Sequence, residues 1–367
     1  MFWDRINEGR IKVSNDKDGE LAGLGALKRT MGFTIILVFA IFLGLLFVIS
    51  ALFLDPITGL LLGLVGAFFI ILLQYLIGPV IVRLTSRLHY LAPDENRWLE
   101  SKVGQLASKA GIPTPRLAVS PDPTPNAFVF GRTRKSATLA VHQGLLQRLD
   151  ENEIEGVIGH ELGHVKHRDF IVVTMISAIP LVAYLIARSV LWGGVASGYS
   201  GRSNKNNSAG LLIIVAVVAY AVYILTTLLA LRLTRLRESY ADAYSAFLTQ
   251  QPRELESALT KIAYGLSLAP GEPHGARAFF IEDPAQAKQD VAGIMDQKSK
   301  YDLDRDGVLS ERELEAAMEA ESKSNWRKAA QLLMTHPPTY KRILMLREIE
   351  QDMNSGSFQQ SNVYNHV

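Results

Sequence analysis

Four long apolar runs, at residues 31–54, 57–82, 170–187 and 209–231, divide the chain, and each has the length expected of a helix crossing a bilayer. No charge interrupts the first two until Asp55, which marks the turn between them. The third run is the shortest and contains Pro180, so a buried soluble helix competes there. The first run is too long, and starts too far into the chain, to be a cleavable signal peptide. Between the second and third runs the period changes. Alternation at 126–131 and again at 138–142 predicts two short strands, followed by a turn at Gly144. From Asp150 onward, Ile154, Val157, Ile158 and Leu162 fall on one helical face. Asp150 with Glu153 three residues on predicts a capping-box start. The acidic first turn (Asp150, Glu151, Glu153) and basic last turn (Lys166, His167, Arg168) suit the helix macrodipole.

Composition changes that picture only at the edges. The chain has 367 residues, enough for two or three soluble domains, but the apolar runs claim a large share of it. A net charge of +2 gives no sign of nucleic-acid binding, and the absence of cysteine removes any disulfide argument. Orientation follows from Lys and Arg in the short flanks. Arg5, Arg10, Lys12, Lys17, Lys28 and Arg29 precede the first run, and none lies between the first and second. Arg83, Arg87, Lys166 and Arg168 lie between the second and third, and Arg232, Arg235 and Arg237 follow the fourth. Only Arg188, Arg202 and Lys205 lie between the third and fourth, so both termini and the 150–168 helix are expected on the cytoplasmic side.

That helix carries His160-Glu161-Leu162-Gly163-His164, an H-E-x-x-H pattern. Two histidines four residues apart share a helical face and can reach one Zn²⁺, with Glu161 facing the activated water as general base. A surface helix with two accidental histidines is the bland alternative. A hydrolytic zinc site needs a third protein ligand and an open position. Glu238 is the best candidate, with Asp242 one turn further on to orient a ligand histidine. Beside Arg232, Arg235 and Arg237 the same two acids also read as a solvated helix face. Topology sharpens the choice. At about 1.5 Å per residue, His164 and Glu238 each lie on the order of 10 Å from the start of the third run and the end of the fourth. A membrane hairpin would bring them together just outside the lipid.

With these features the chain resembles the HtpX-type integral-membrane zinc metalloproteases, relatives of the CAAX prenyl proteases. The resemblance rests on Pro125-Asn126-Ala127-Phe128-Val129-Phe130-Gly131, the H-E-x-x-H segment, Glu238-Ser239-Tyr240-Ala241-Asp242, and His336-Pro337-Pro338-Thr339 followed by Arg342-Ile343. It implies that His160, His164 and Glu238 bind zinc and that Glu161 activates water. It also implies proteolysis of membrane or misfolded proteins, in quality control and stress response, at the cytoplasmic face of a bacterial inner membrane. By analogy His336 and Arg342 would face the cleft and stabilise the oxyanion; alternatively, the prolines only start a helix and Arg342 is solvated. Asn126, Ala127 and Phe128 would hold an extended substrate at a sheet edge, or form a plain structural strand. His167 is not expected to be a ligand.

One segment departs from the resemblance. An extra stretch of about fifty residues precedes His336 and contains a twelve-residue EF-hand pattern at 302–313. Asp302, Asp304 and Asp306, the Val308 carbonyl, Ser310 through water and a bidentate Glu313 would hold Ca²⁺, with Gly307 at the sharp turn. A lone hand could instead bind weakly or take Mg²⁺, or be an acidic loop that caps two helices.

The expected fold is mainly α: a multipass membrane protein with four transmembrane helices and a cytoplasmic zincin-like catalytic domain of helices plus a small antiparallel sheet. The divisions are an N-terminal cytoplasmic segment 1–30, a transmembrane hairpin 31–82, catalytic parts 83–169, 232–284 and 331–353, a second hairpin 170–231, an EF-hand insertion 285–330 and a disordered tail 354–367. Zn²⁺ and Ca²⁺ are the expected cofactors, and the lipid bilayer and protein substrates the expected partners. A membrane-anchored Ca²⁺-binding adaptor with an inactive peptidase core is the alternative; the oligomeric state is not encoded in these patterns.

Overall fold

The computed structural model describes residues 24–53, 55–199, 208–267, 281, 298–302, 313, 316–317 and 331–358. In chain order the helices of more than four residues among the described residues are α1 (Leu24–Phe53), α2 (Pro56–Thr85), α3 (Arg97–Ala110), α4 (Gln143–Arg148), α5 (Glu151–His167), α6 (Asp169–Tyr199), α7 (Ser208–Thr249), α8 (Pro252–Ser267) and α9 (Thr339–Ser355). The strands are β1 (His89–Tyr90), β2 (Arg116–Ser120), β3 (Ala127–Phe130) and β4 (Thr138–His142). Helices α1, α2, α6 and α7 are long and apolar enough to cross a membrane. Their outer faces are apolar and open, as at Phe33, Ile57, Trp192 and Val217, which suits lipid rather than water.

The first hairpin has a local cause. Asp55 caps α2 by accepting from the Thr58 backbone N–H at 2.9 Å and the Thr58 hydroxyl at 3.0 Å, with Pro56 starting the helix. Inside α2, Pro79 cannot donate to the Tyr75 carbonyl. Arg132, from the β3–β4 connection, supplies the donors instead: Nε to the Tyr75 carbonyl at 3.3 Å and Nη2 to the Leu76 carbonyl at 2.5 Å. The Tyr75 hydroxyl returns a bond to the Arg132 carbonyl at 3.2 Å, fastening the sheet to the first hairpin. The third apolar run forms part of one 31-residue helix through Pro180.

Two expectations are corrected. The sheet, in order β1-β2-β4-β3, is mixed rather than antiparallel: β1–β2 and β3–β4 are antiparallel, but β2–β4 is parallel. The tight β3–β4 turn, closed by Thr133 and Ser136, forces those two strands to run opposite ways. β3 takes the outside position, so β4 lies beside β2 in the same direction. The distance of about 10 Å for His164 also assumes one continuous helix running from the motif into the third span, and the chain breaks there. Arg168 adopts a left-handed conformation, φ 60, and breaks α5 from α6. By contrast α7 continues without interruption for 42 residues, roughly 63 Å, from its span into the catalytic core.

Helix α5 starts as its sequence predicts: Asp150 accepts from the Asn152 and Glu153 N–H groups, and Glu153 reaches back to the Asp150 N–H at 2.9 Å. It lies in the main core, where Ile154, Val157, Ile158 and Leu162 pack with residues of α3, α7, α8 and α9. Its approach to α7 is unusually close because Gly159 and Gly163 present no side chain. A Cβ on Gly159 would lie 2.7 Å from Ser245 Oγ, and one on Gly163 would lie 3.2 Å from Ala241 Cα. Gly159→Leu is therefore expected to force α7 away, costing about 1–3 kcal/mol by overpacking and drawing Glu238 off the histidines. Thermal unfolding in detergent together with metal content checks this; unchanged values for both would show that the close approach is dispensable.

Candidate metal centre

The i, i+4 spacing on α5 sets the two imidazoles side by side, with His160 Nε2 and His164 Nε2 3.1 Å apart. From α7, Glu238 Oε2 lies 3.4 Å from His160 Nε2 and Oε1 lies 3.5 Å from His164 Nε2. All three ligand atoms fall within 4.8 Å of one another. Ligands about 2.0–2.1 Å from a tetrahedral zinc are about 3.3–3.4 Å apart, close to the spacing of each ring nitrogen from its nearer Glu238 oxygen.

The ring orientations explain why the nitrogens converge. His160 Nδ1 lies 2.7 Å from Asp242 Oδ1, and His164 Nδ1 lies 2.6 Å from Asp169 Oδ2. Each carboxylate accepts a hydrogen bond from the Nδ1–H, which leaves the Nε2 lone pair aimed into the triad. Each is itself met by a buried arginine. Arg342 is bidentate on Asp242 through Nε and Nη2, both at 2.7 Å, and Arg237 forms an ion pair with Asp169. Glu161, Glu238, Asp169 and Asp242 are all less than 8% exposed, as are Arg237 and Arg342. With both imidazoles neutral, as metal ligation requires, four carboxylates against two guanidinium groups leave a formal charge of −2 in a buried region, which a divalent cation neutralises. The donor set therefore fits zinc. Burial works against a charge on His160, yet hydrogen bonds to Asp242 and Glu238 outweigh it and hold the ring up to about 10, whereas burial pushes His164 down.

Glu161 is 3% exposed, and burial raises its carboxyl above the ordinary glutamate range against the pull of His164 and His160. The Val129 backbone of β3 donates to it. Both line a cavity of about 590 Å³ that also touches His160, His164 and Glu238. From there the cavity extends between α2, α6 and α7 as far as Gln74, Tyr184 and Tyr223. Among the described residues β3 is the edge strand on this side.

The remaining expected residues divide. Ala127, Phe128 and His336 line the cavity, and Thr335 Oγ1 lies 2.9 Å from His336 Nδ1. Asn126 does not: its side-chain carbonyl accepts the Ile281 N–H at 3.0 Å, and it is 1% exposed. The expectation for Arg342 is also corrected. Its guanidinium is sealed, engaged with Asp242 and donating to the Ile281 carbonyl at 2.6 Å, because the buried Asp242 charge needs a partner more than the cleft does. His167 stacks edge-on against Tyr244 outside the triad, and burial pushes it down to about 3. Of the EF-hand set, Asp304, Asp306, Val308 and Ser310 lie outside the described residues; Asp302 is half-buried and Glu313 buried. Sequence reasoning missed Asp169 and Arg237. Their only signal was position: an acid at the foot of one span, and a basic residue adjoining the expected ligand at the end of another.

The model of peptidase family M48 matches residues 93–350. A protease HtpX homolog of Methanothermobacter thermautotrophicus is 38% identical over 229 residues, covering 60% of this chain and 83% of that one. One from Thermococcus sibiricus is 33% identical over 299 residues, 81% of this chain and 88% of its own. One from Moorella thermoacetica is 36% identical over 213 residues, 57% and 70% respectively. The crystal structure of S. mikatae Ste24p overlaps with a TM-score of 0.45 at 14% identity, over 88% of this chain and 64% of that chain. With the family model spanning the triad, the edge strand and the terminal helix alike, the chain belongs to peptidase family M48 and is a multipass membrane metalloprotease.

Proposed function

We propose that this protein is a zinc-dependent endopeptidase that cleaves membrane or misfolded proteins at the cytoplasmic face of the membrane, the inner membrane in a bacterium. The convergence of His160, His164 and Glu238 beside Glu161, at a cavity shared by the membrane helices and the edge of β3, carries this reading. When bound, zinc supplies Lewis acidity, which polarises a peptide carbonyl and makes water nucleophilic near neutral pH. His160, His164 and Glu238 would hold it, with Asp242 and Asp169 keeping the two rings in the ligating tautomer. Glu161 accepts a proton from the attacking water and passes it to the leaving amine. Ala127 and Phe128 lie on the strand edge along which an extended substrate can pair. His336 is the cavity-lining side chain suited to donate to the developing oxyanion. The Lys and Arg bias of the flanks supports the cytoplasmic placement.

Calcium modulation rests on the 302–313 pattern. Metal analysis coupled to hydrolysis of a casein-like substrate tests both ions. The intact chain is expected to carry about one zinc per chain and to lose activity with EDTA. His160→Ala should lose both zinc and activity, and Glu313→Gln only the response to added Ca²⁺. A chain that hydrolyses casein at full rate after complete metal removal would refute the mechanism.

A further inference from the structure

Asp169 and Arg237 sit where three helices meet. Asp169 is the first residue of α6, and one covalent step before it the left-handed Arg168 breaks the chain from α5. Through Oδ2 Asp169 holds the His164 ring, and through Oδ1 it faces Arg237 Nη2 on α7. Arg237 adjoins Glu238, so the contacts close a circuit: ligand ring, Asp169, Arg237, peptide bond, ligand carboxylate. Its middle link is the buried ion pair between Arg237 Nη2 and Asp169 Oδ1. Both side chains are buried, at 5% and 2% exposure, so neither is a solvated surface pair.

The matching pair on the other ring differs in what it joins. Asp242, itself on α7, and Arg342 connect His160 to α9 and Ile281 but make no link to α6. Asp169 and Arg237 connect His164 to the two helices of the second membrane hairpin. We propose that Asp169 and Arg237 are positioning residues for the metal site, which fix His164 through the base of the α6–α7 hairpin and couple the arrangement of those helices to metal affinity. This rests on the proposed metalloenzyme reading and adds to it a route from the membrane hairpin to the site. A single left-handed residue is a weak constraint on the angle between α5 and α6. The Asp169 carboxylate supplies the missing one, and Arg237, paired with that carboxylate, keeps it aimed.

The test is Co²⁺ titration of the full chain in detergent, read by chelator competition and by the visible ligand-field spectrum. Arg237→Gln is expected to weaken Co²⁺ binding about 10- to 100-fold and to alter the spectrum, as expected when the partner of a ligand histidine is disturbed. Arg237→Lys, which keeps the charge, should recover affinity to within about threefold of wild type. Should Arg237→Gln fail to fold, the near-isosteric Asp169→Asn carries the same expectation. Wild-type affinity and spectrum in the Gln or Asn variant would overturn the proposal, as would a Lys variant no better than Gln. A wild-type chain that binds no Co²⁺ would overturn the metalloenzyme reading itself, and this assignment with it.

Discussion

Glu161→Gln is expected to lower kcat by about 10²- to 10⁴-fold, the usual worth of a positioned general base, while the protein retains its metal. The substitution is nearly isosteric, and the amide oxygen still offers the Val129 N–H an acceptor, so the strand edge should not move. Neither His160 nor His164 depends on Glu161 for its Nδ1 contact, since Asp242 and Asp169 fill those roles. The pH profile supplies a second readout. A base must be ionised to work, and burial lifts the Glu161 carboxyl above its ordinary range, so activity should fall as pH drops through that raised value. The Gln variant should lose that limb. Wild-type turnover in the variant, measured with metal content confirmed, would remove Glu161 from the mechanism.

The second large effect concerns Arg342, and it separates two roles that the sequence cannot separate. Arg342→Met leaves the Asp242 carboxylate, 0% exposed, without its bidentate partner, and strips a donor from the Ile281 carbonyl. Breaking a buried pair on one side costs roughly 3–5 kcal/mol, so the expected result is a large fall in thermal stability together with weaker metal binding. An oxyanion donor would behave otherwise: kcat would fall while stability and metal content stayed at wild-type values. Thermal melts and metal analysis on the same preparation decide between them.

Much of the candidate site was legible in the chain because its determinants are local. The four spans follow from run length, the α5 start from Asp150 and Glu153, and the shared face of the two histidines from their spacing of four. Glu238 required one topological step, the return of a membrane hairpin, and the triad geometry agrees with that step. The strands at 127–130 and 138–142 follow from alternation, but their partners do not. Pairing direction depends on which side β3 takes after its turn, and alternation is identical for a parallel or an antiparallel neighbour.

The sequence by itself determined what was encoded within a few turns of helix: the apolar spans, the capping of α5, and the register of the two ligand histidines. Tertiary structure decided where buried polar and charged groups find partners. Asn126 and Arg342, expected in the cleft, turn instead to Ile281 and Asp242, while Asp169 and Arg237, which no motif marked, stand behind a ligand ring. A charge removed from water is stabilised only by groups within a few ångströms, and those groups come from residues tens of positions apart that only the packed chain brings together.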